Sequence, residues 1–138
     1  MAETPLSKKL RIKSGHSLAI IHAPEGYRQT LGDLPDSVMI SDTINGIFDI
    51  VQSFYTQLSA LEADVAALKG AMADSSILWL CYPKGSAKWD TDLNRDIIWK
   101  FLQPQGLKPV AQVSIDTVWS AMRFKLVTSE NDETDGQQ

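Results

Sequence analysis

The stretch Ser76-Ile-Leu-Trp-Leu-Cys-Tyr82, closed by Pro83, decides the fold class. It is a short apolar run without alternation. Such a run needs cover on both faces, which marks a central strand of a mostly parallel sheet. The clearest helix lies just before it. Leu58, Leu61, Val65, Leu68 and Met72 recur at spacings of 3, 4, 3 and 4 and so share one stripe. Thr56 suits its N-cap, and Gly70 or Asp74 lies near its end. The stripe is too short for a coiled coil and predicts docking on the sheet. After Pro83 a loop runs to Asp90. Asp90 or Thr91 then caps a helix with Leu93, Ile97, Ile98, Phe101 and Leu102 inward, stopped by Pro104 and Gly106.

Working outward, Ser17-Leu-Ala-Ile-Ile-His22 is a second apolar strand, ended by Pro24 and Gly26. A short helix fits Gly26–Leu31, and a short strand fits Val38-Met-Ile40, with Asp42 just after it. Ile47 to Phe54 is a third strand, rich in β-formers. Pro109 to Ile115 and Val118 to Val127 are the last two, joined so tightly at Asp116-Thr117 that they must pair antiparallel. In the final strand Val118, Met122, Phe124 and Leu126 share one face, and Trp119, Arg123 and Lys125 the other. The alternation predicts an α/β chain: one three-layer, Rossmann-like domain over residues 1–127, with a mostly parallel sheet ending in an antiparallel C-terminal hairpin.

Composition agrees with one domain. The chain has 138 residues, 43% hydrophobic and 22% charged, with a formal charge of -4. Four of its 17 acids lie in the tail 128–138, which holds no base, so the remainder is balanced against the 13 Lys and Arg. That tail has too little apolar surface to offset ordering and is expected to be disordered. The near-neutral remainder disfavours nucleic acid as a partner. Lys8, Lys9, Arg11 and Lys13 form a basic cluster, expected on a solvated N-terminal strand, with an anion-binding or tail-binding patch as the sharper reading. One cysteine excludes an intrachain disulfide and a multi-cysteine metal site. No secretory leader and no membrane span is legible, so a cytoplasmic setting is expected.

In an open parallel sheet ligands bind outside the carboxyl ends of the strands. Those ends supply the ligand-binding candidates His22, Glu25, Gly26, Asp42, Lys84 and Ser86. The loop His22-Ala-Pro-Glu-Gly26 lacks a glycine-rich phosphate fingerprint, and Pro24 removes one N–H. His22 could act as a general base, against the plainer reading of a loop histidine bonded to backbone. His16 and His22 are too far apart to share a metal. Cys81 reads as a small core hydrophobe. Trp119 and Arg123 are surface-contact candidates, or else a stack covering the sheet edge. No catalytic motif, metal site or cofactor is assigned.

Three stretches carry a family resemblance: Pro5 to Gly15 leading into Ala23-Pro24-Glu25-Gly26, Ile77 to Lys84, and Gly106 through Val118-Trp-Ser-Ala-Met-Arg123. On these the chain resembles a short bacterial family of unknown function, the 3052 series. The resemblance implies a compact α/β fold and no reaction. The strand order also resembles a trimmed methyltransferase-like Rossmann core. In that likeness Ala23-Pro24-Glu25-Gly26 replaces the glycine-rich loop, and Asp42 is the acid after the second strand. The absent motifs, surplus tryptophans and acidic tail lead to the expectation of a non-enzymatic interaction or regulatory domain, with a protein partner or a homo-oligomer. The alternative is a small-molecule binding or transferase-like enzyme using the cleft at the strand ends. There Lys84 would bind an anion, and Glu25 or His22 would act as base.

Overall fold

A computed structural model describes residues 6–85 and 90–127. Six strands form one sheet: β1 (Ser17–Ile21), β2 (Met39–Ser41), β3 (Phe48–Phe54), β4 (Met72–Pro83), β5 (Leu107–Ser114) and β6 (Trp119–Leu126). Their spatial order is β2-β1-β3-β4-β6-β5. The first four are parallel, β6 runs antiparallel to β4, and β5 pairs antiparallel with β6. The mostly parallel sheet with an antiparallel C-terminal hairpin therefore stands as expected.

The helices are α1 (Leu6–Lys9), α2 (Tyr27–Leu31), α3 (Leu58–Gly70) and α4 (Arg95–Leu102). Alternate residues of the central strands feed two cores. Ala19, Val51, Leu78, Leu80 and Phe124 pack with Leu61 and Leu68 of α3 and Ile98 and Leu102 of α4. Leu18, Ile20, Ile50, Trp79 and Ala121 pack on the other face with Leu10, Ile12, Tyr27 and Leu31. This double burial explains why the central strands read as continuous apolar runs. The sheet is protected at its edges. β2 is only three residues long, and β5 carries Lys108 and Pro109.

Several local expectations are corrected. The basic cluster does not lie on a strand. Its segment begins as the turn of helix α1, with Leu10 and Ile12 buried and Lys8, Lys9, Arg11 and Lys13 exposed. The Trp79 indole N–H donates to the Leu10 carbonyl at 2.9 Å and clamps this segment to the sheet. Thr56 does not cap α3. Gln57 is the cap residue, and the Asp92 carboxylate reaches across to accept from Leu58 N at 2.7 Å. Asn94, rather than Asp90 or Thr91, caps α4 by accepting from Ile97 N at 2.9 Å. Met72 starts β4 instead of closing the helical stripe, because α3 ends at Gly70. The tail 128–138 lies outside the described residues.

Trp79→Phe leaves the buried Leu10 carbonyl without its donor and also removes ring volume. Urea unfolding should register a loss of about 1–3 kcal/mol for the orphaned acceptor, with the lost packing adding to it. A loss within about 0.5 kcal/mol, the range of ordinary surface changes, would show that the clamp is not needed.

Candidate functional site

The chain leaves β1 for β2 on one side and returns to β3 on the other. β1 and β3 are nonetheless parallel neighbours, paired from Leu18↔Ile50 to Ile21↔Ser53. This reversal of strand order is the point at which open α/β sheets form a ligand crevice. A cleft of about 460 Å³ lies there, lined by His22, Pro24 and Glu25 after β1, by Phe54, Tyr55 and Thr56 from the end of β3, by Ala60 of α3, and by Trp119 of β6. The volume falls within the range of small-molecule sites.

A polar triad is built into its wall. The Tyr55 hydroxyl donates to Asp64 Oδ2 at 2.6 Å, and His22 Nε2 lies 2.9 Å from the same oxygen. A carboxylate only accepts, so His22 donates through Nε2, and in the neutral ring Nδ1 keeps the lone pair. The two rings meet edge to face with centroids 5.5 Å apart. His22 has a left-handed backbone, φ 60°, directly after the last residue of β1. Such strain concentrates at functional positions, and here it accompanies the bond between the imidazole and α3. Below the cleft, Phe54 stacks edge to face on Tyr27 and on Trp119, at 4.8 and 5.2 Å. Burial, and then the bond to Asp64, push the Tyr55 hydroxyl well above its ordinary pKa.

The structure brings His22 and Glu25 together at this cleft. Gly26 opens α2 with φ 84°. Asp42 is exposed, one residue beyond β2 and outside the cleft lining. Lys84 does not join His22 and Glu25, which corrects the expectation of one shared constellation. It lines a separate hollow of about 390 Å³ beside Arg95 and Gln112, and its ammonium donates to Ser114 Oγ at 2.7 Å. Ser86 lies outside the described residues. Trp119 is corrected as a surface contact, because only 6% of it is exposed and its ring packs on Phe54. Arg123 is partly buried at the far end of the sheet, away from Trp119's cleft. Sequence reasoning missed Asp64 and the role of Tyr55. The signal was present. Asp64 stands three residues after Leu61 and four before Leu68, an acid beside the apolar stripe.

No family model matches the chain, and no curated protein matches it. Its fold is similar to solved methyltransferases. A SAM-dependent methyltransferase from Aquifex aeolicus aligns with TM-score 0.61 at 12% identity, over 87% of each chain. DhpI in its complex with SAH aligns with TM-score 0.60 at 11% identity, over 89% of this chain and 82% of that one. A TehB-like SAM-dependent methyltransferase from Corynebacterium glutamicum gives 0.57 at 11% identity, over 90% and 89%. At these identities the likeness establishes the α/β, Rossmann-like fold alone. It also overturns the expectation of a non-enzymatic interaction or regulatory domain, since the fold matches that of transferases over nearly the whole chain.

The buried hydroxyls and thiol give a pH prediction. Burial raises the ionisation of Tyr27, Tyr55 and Cys81 above their ordinary values. The unfolded chain loses these protons at about 8.5 for Cys and about 10 for Tyr. Above those values it binds fewer protons than the folded state, so stability is complete below about pH 8.5 and falls as pH rises. Urea unfolding between neutral and alkaline pH should show this decline. Cys81→Ala should move its onset toward about 10, and Tyr55→Phe should flatten it above that point. Stability that rises through this window would contradict the assignment.

Proposed function

We propose that the protein is a transferase-like enzyme that binds an S-adenosyl compound in the crevice between β1 and β3. The observation that carries this reading is the His22–Asp64–Tyr55 triad at the point between β1 and β3 where the order of the parallel strands reverses. The residues present suit the ligand class. Pro24 and the missing glycine-rich loop weaken any phosphate nest, which disfavours a dinucleotide; the same missing loop is this chain's departure from the methyltransferase-like core. Glu25 and the aromatic wall favour a cationic group such as a sulfonium or an ammonium.

Bound there, such a compound supplies an electrophilic methyl group. The chain's own part is to handle a proton. Asp64 fixes the imidazole through Nε2, and Tyr55 holds Asp64 from the other side. The Nδ1 lone pair then accepts the proton of an O–H or N–H acceptor substrate, as in other oriented histidine bases. A cytoplasmic setting belongs to the same proposal, supported by a lone thiol that is fully buried in β4. Among the described residues no helix is long and apolar enough to cross a membrane. The resemblance to the bacterial 3052 series would extend this reading to that family.

Thermal unfolding against S-adenosylmethionine, S-adenosylhomocysteine, NAD and acyl-coenzyme A tests the proposal. At about 100 times its dissociation constant a ligand adds about 2.7 kcal/mol, a shift of roughly 5–15 °C for this size. The shift should be confined to the S-adenosyl compounds. Glu25→Gln should reduce it. His22→Ala should abolish methyl transfer more than binding. Silence with both S-adenosyl compounds, or an equal response to NAD, would overturn the reading.

A further inference from the structure

The opposite end of the sheet carries a second concavity that the crevice chemistry does not use. The amino ends of β1, β3 and β4 and the carboxyl end of β6 enclose a groove of about 540 Å³. Four cations line it, Arg11, Lys13, Arg123 and Lys125, against two carboxylates, Asp49 and Asp74. The groove therefore holds a surplus of two positive charges. Among the described residues the ion pairs are His22–Asp64 and Arg95–Asp96, so none of the four cations is within 4 Å of a carboxylate. Asp49 is engaged elsewhere, its Oδ2 accepting from Ser17 N at 2.8 Å and Ser17 Oγ at 3.2 Å.

Three further features shape the groove. Arg11 has a left-handed backbone, φ 64°, between the buried Leu10 and Ile12. The β3–β4 ladder jumps from Phe48↔Met72 to Ile50↔Ile77, so β4 bulges over residues 73–76 and forms one wall. Ser76 Oγ holds that bulge, accepting from Ala73 N at 2.8 Å and donating to the Phe48 carbonyl at 2.6 Å. His16 Nδ1 accepts from Lys13 N at 3.1 Å, so the neutral ring keeps an N–H donor on Nε2. Burial of Arg123, and then the neighbouring Arg11 charge, lower the Arg123 pKa, as expected of cations held together without a counterion.

We propose that this groove binds a small phosphate-bearing dianion, held by Arg11, Lys13, Arg123 and Lys125. The charge surplus matches a phosphate monoester. Guanidinium forks meet phosphate oxygens in pairs, and lysines add point charges. The volume suits a small molecule. The near-neutral remainder of the chain argues against a long polyanion as occupant. The site lies at the end of the sheet remote from His22 and would act as a regulatory or second-substrate position.

Amide NMR titration with inorganic phosphate, at constant ionic strength, tests it. Saturable shifts should appear at Arg11–Lys13 and Arg123–Lys125. Arg11→Asn keeps a residue that tolerates the left-handed backbone, and it should weaken binding roughly tenfold. Arg123→Gln should do the same. If Arg123→Gln fails to fold by circular dichroism, Lys125→Gln supplies the second measurement. Lys100→Gln, on the exposed side of α4, should leave binding unchanged, as should His22→Ala in the crevice. Shifts that do not saturate, that centre on His22–Gly26, or that survive Arg11→Asn would overturn the proposal. So would saturable binding by a single-stranded oligonucleotide with none by phosphate. None of these outcomes depends on whether S-adenosyl compounds bind.

Discussion

The structure depends on the parallel pairing of β1 with β3. These strands are adjacent in space but separated in sequence by α2 and β2. Crossovers in such sheets are right-handed, so leaving β1 in one direction and β3 in the other sends α2 and α3 to opposite faces. α2 packs with the core around Ile20 and Trp79, and α3 with the core around Val51 and Leu80. With the helices diverging, a crevice at the carboxyl ends of the two strands follows from topology. What this chain adds is the chemistry. His22 turns into the left-handed region directly after β1, and Asp64, in the middle of α3, stands where it can hold the imidazole.

Two buried layers keep that geometry fixed. Tyr55 sits at the end of β3 with 3% exposure, so its hydroxyl has little access to water and is satisfied by Asp64. On the opposite face Phe54 is locked between Tyr27 and Trp119, and the Gln52 amide donates to the Tyr27 hydroxyl at 2.7 Å. Neighbouring residues of one strand thus reach both layers, and a shift in β3 register would dismantle the triad and the aromatic floor together.

The strands were legible because both their faces are buried, which leaves uninterrupted apolar runs at β1, β3 and β4. The hairpin was legible from the short spacing at Asp116-Thr117. Asp116 Oδ1 indeed closes that turn by accepting from Val118 N and Trp119 N at 2.9 and 2.8 Å. The cap of α3 was not legible. The acceptor for Leu58 N is Asp92, which lies 34 residues away, and no local pattern encodes such a contact. The candidate site was half legible. A rule about strand ends finds His22 and Glu25, since they follow β1 directly. Asp64 comes from the middle of a helix, where an acid ordinarily reads as solvated surface. Trp119 misled for the opposite reason: its strand face carries Arg123 and Lys125, yet at the amino end of β6 that face is covered by Phe54.

The N-terminal segment joins the two halves of the molecule. The face of β4 and β6 that holds Trp79 and Ala121 receives no crossover helix, because the chain closes there with a hairpin instead. Leu10 and Ile12 cover part of it, and the Trp79–Leu10 bond fixes their depth. In this segment residues 10 and 12 are buried while Arg11 and Lys13 face outward. The packing that completes the second core therefore also carries two cations to the amino end of the sheet, beside Arg123 and Lys125. The basic groove follows from how the core is closed, just as the crevice follows from how the strands are ordered.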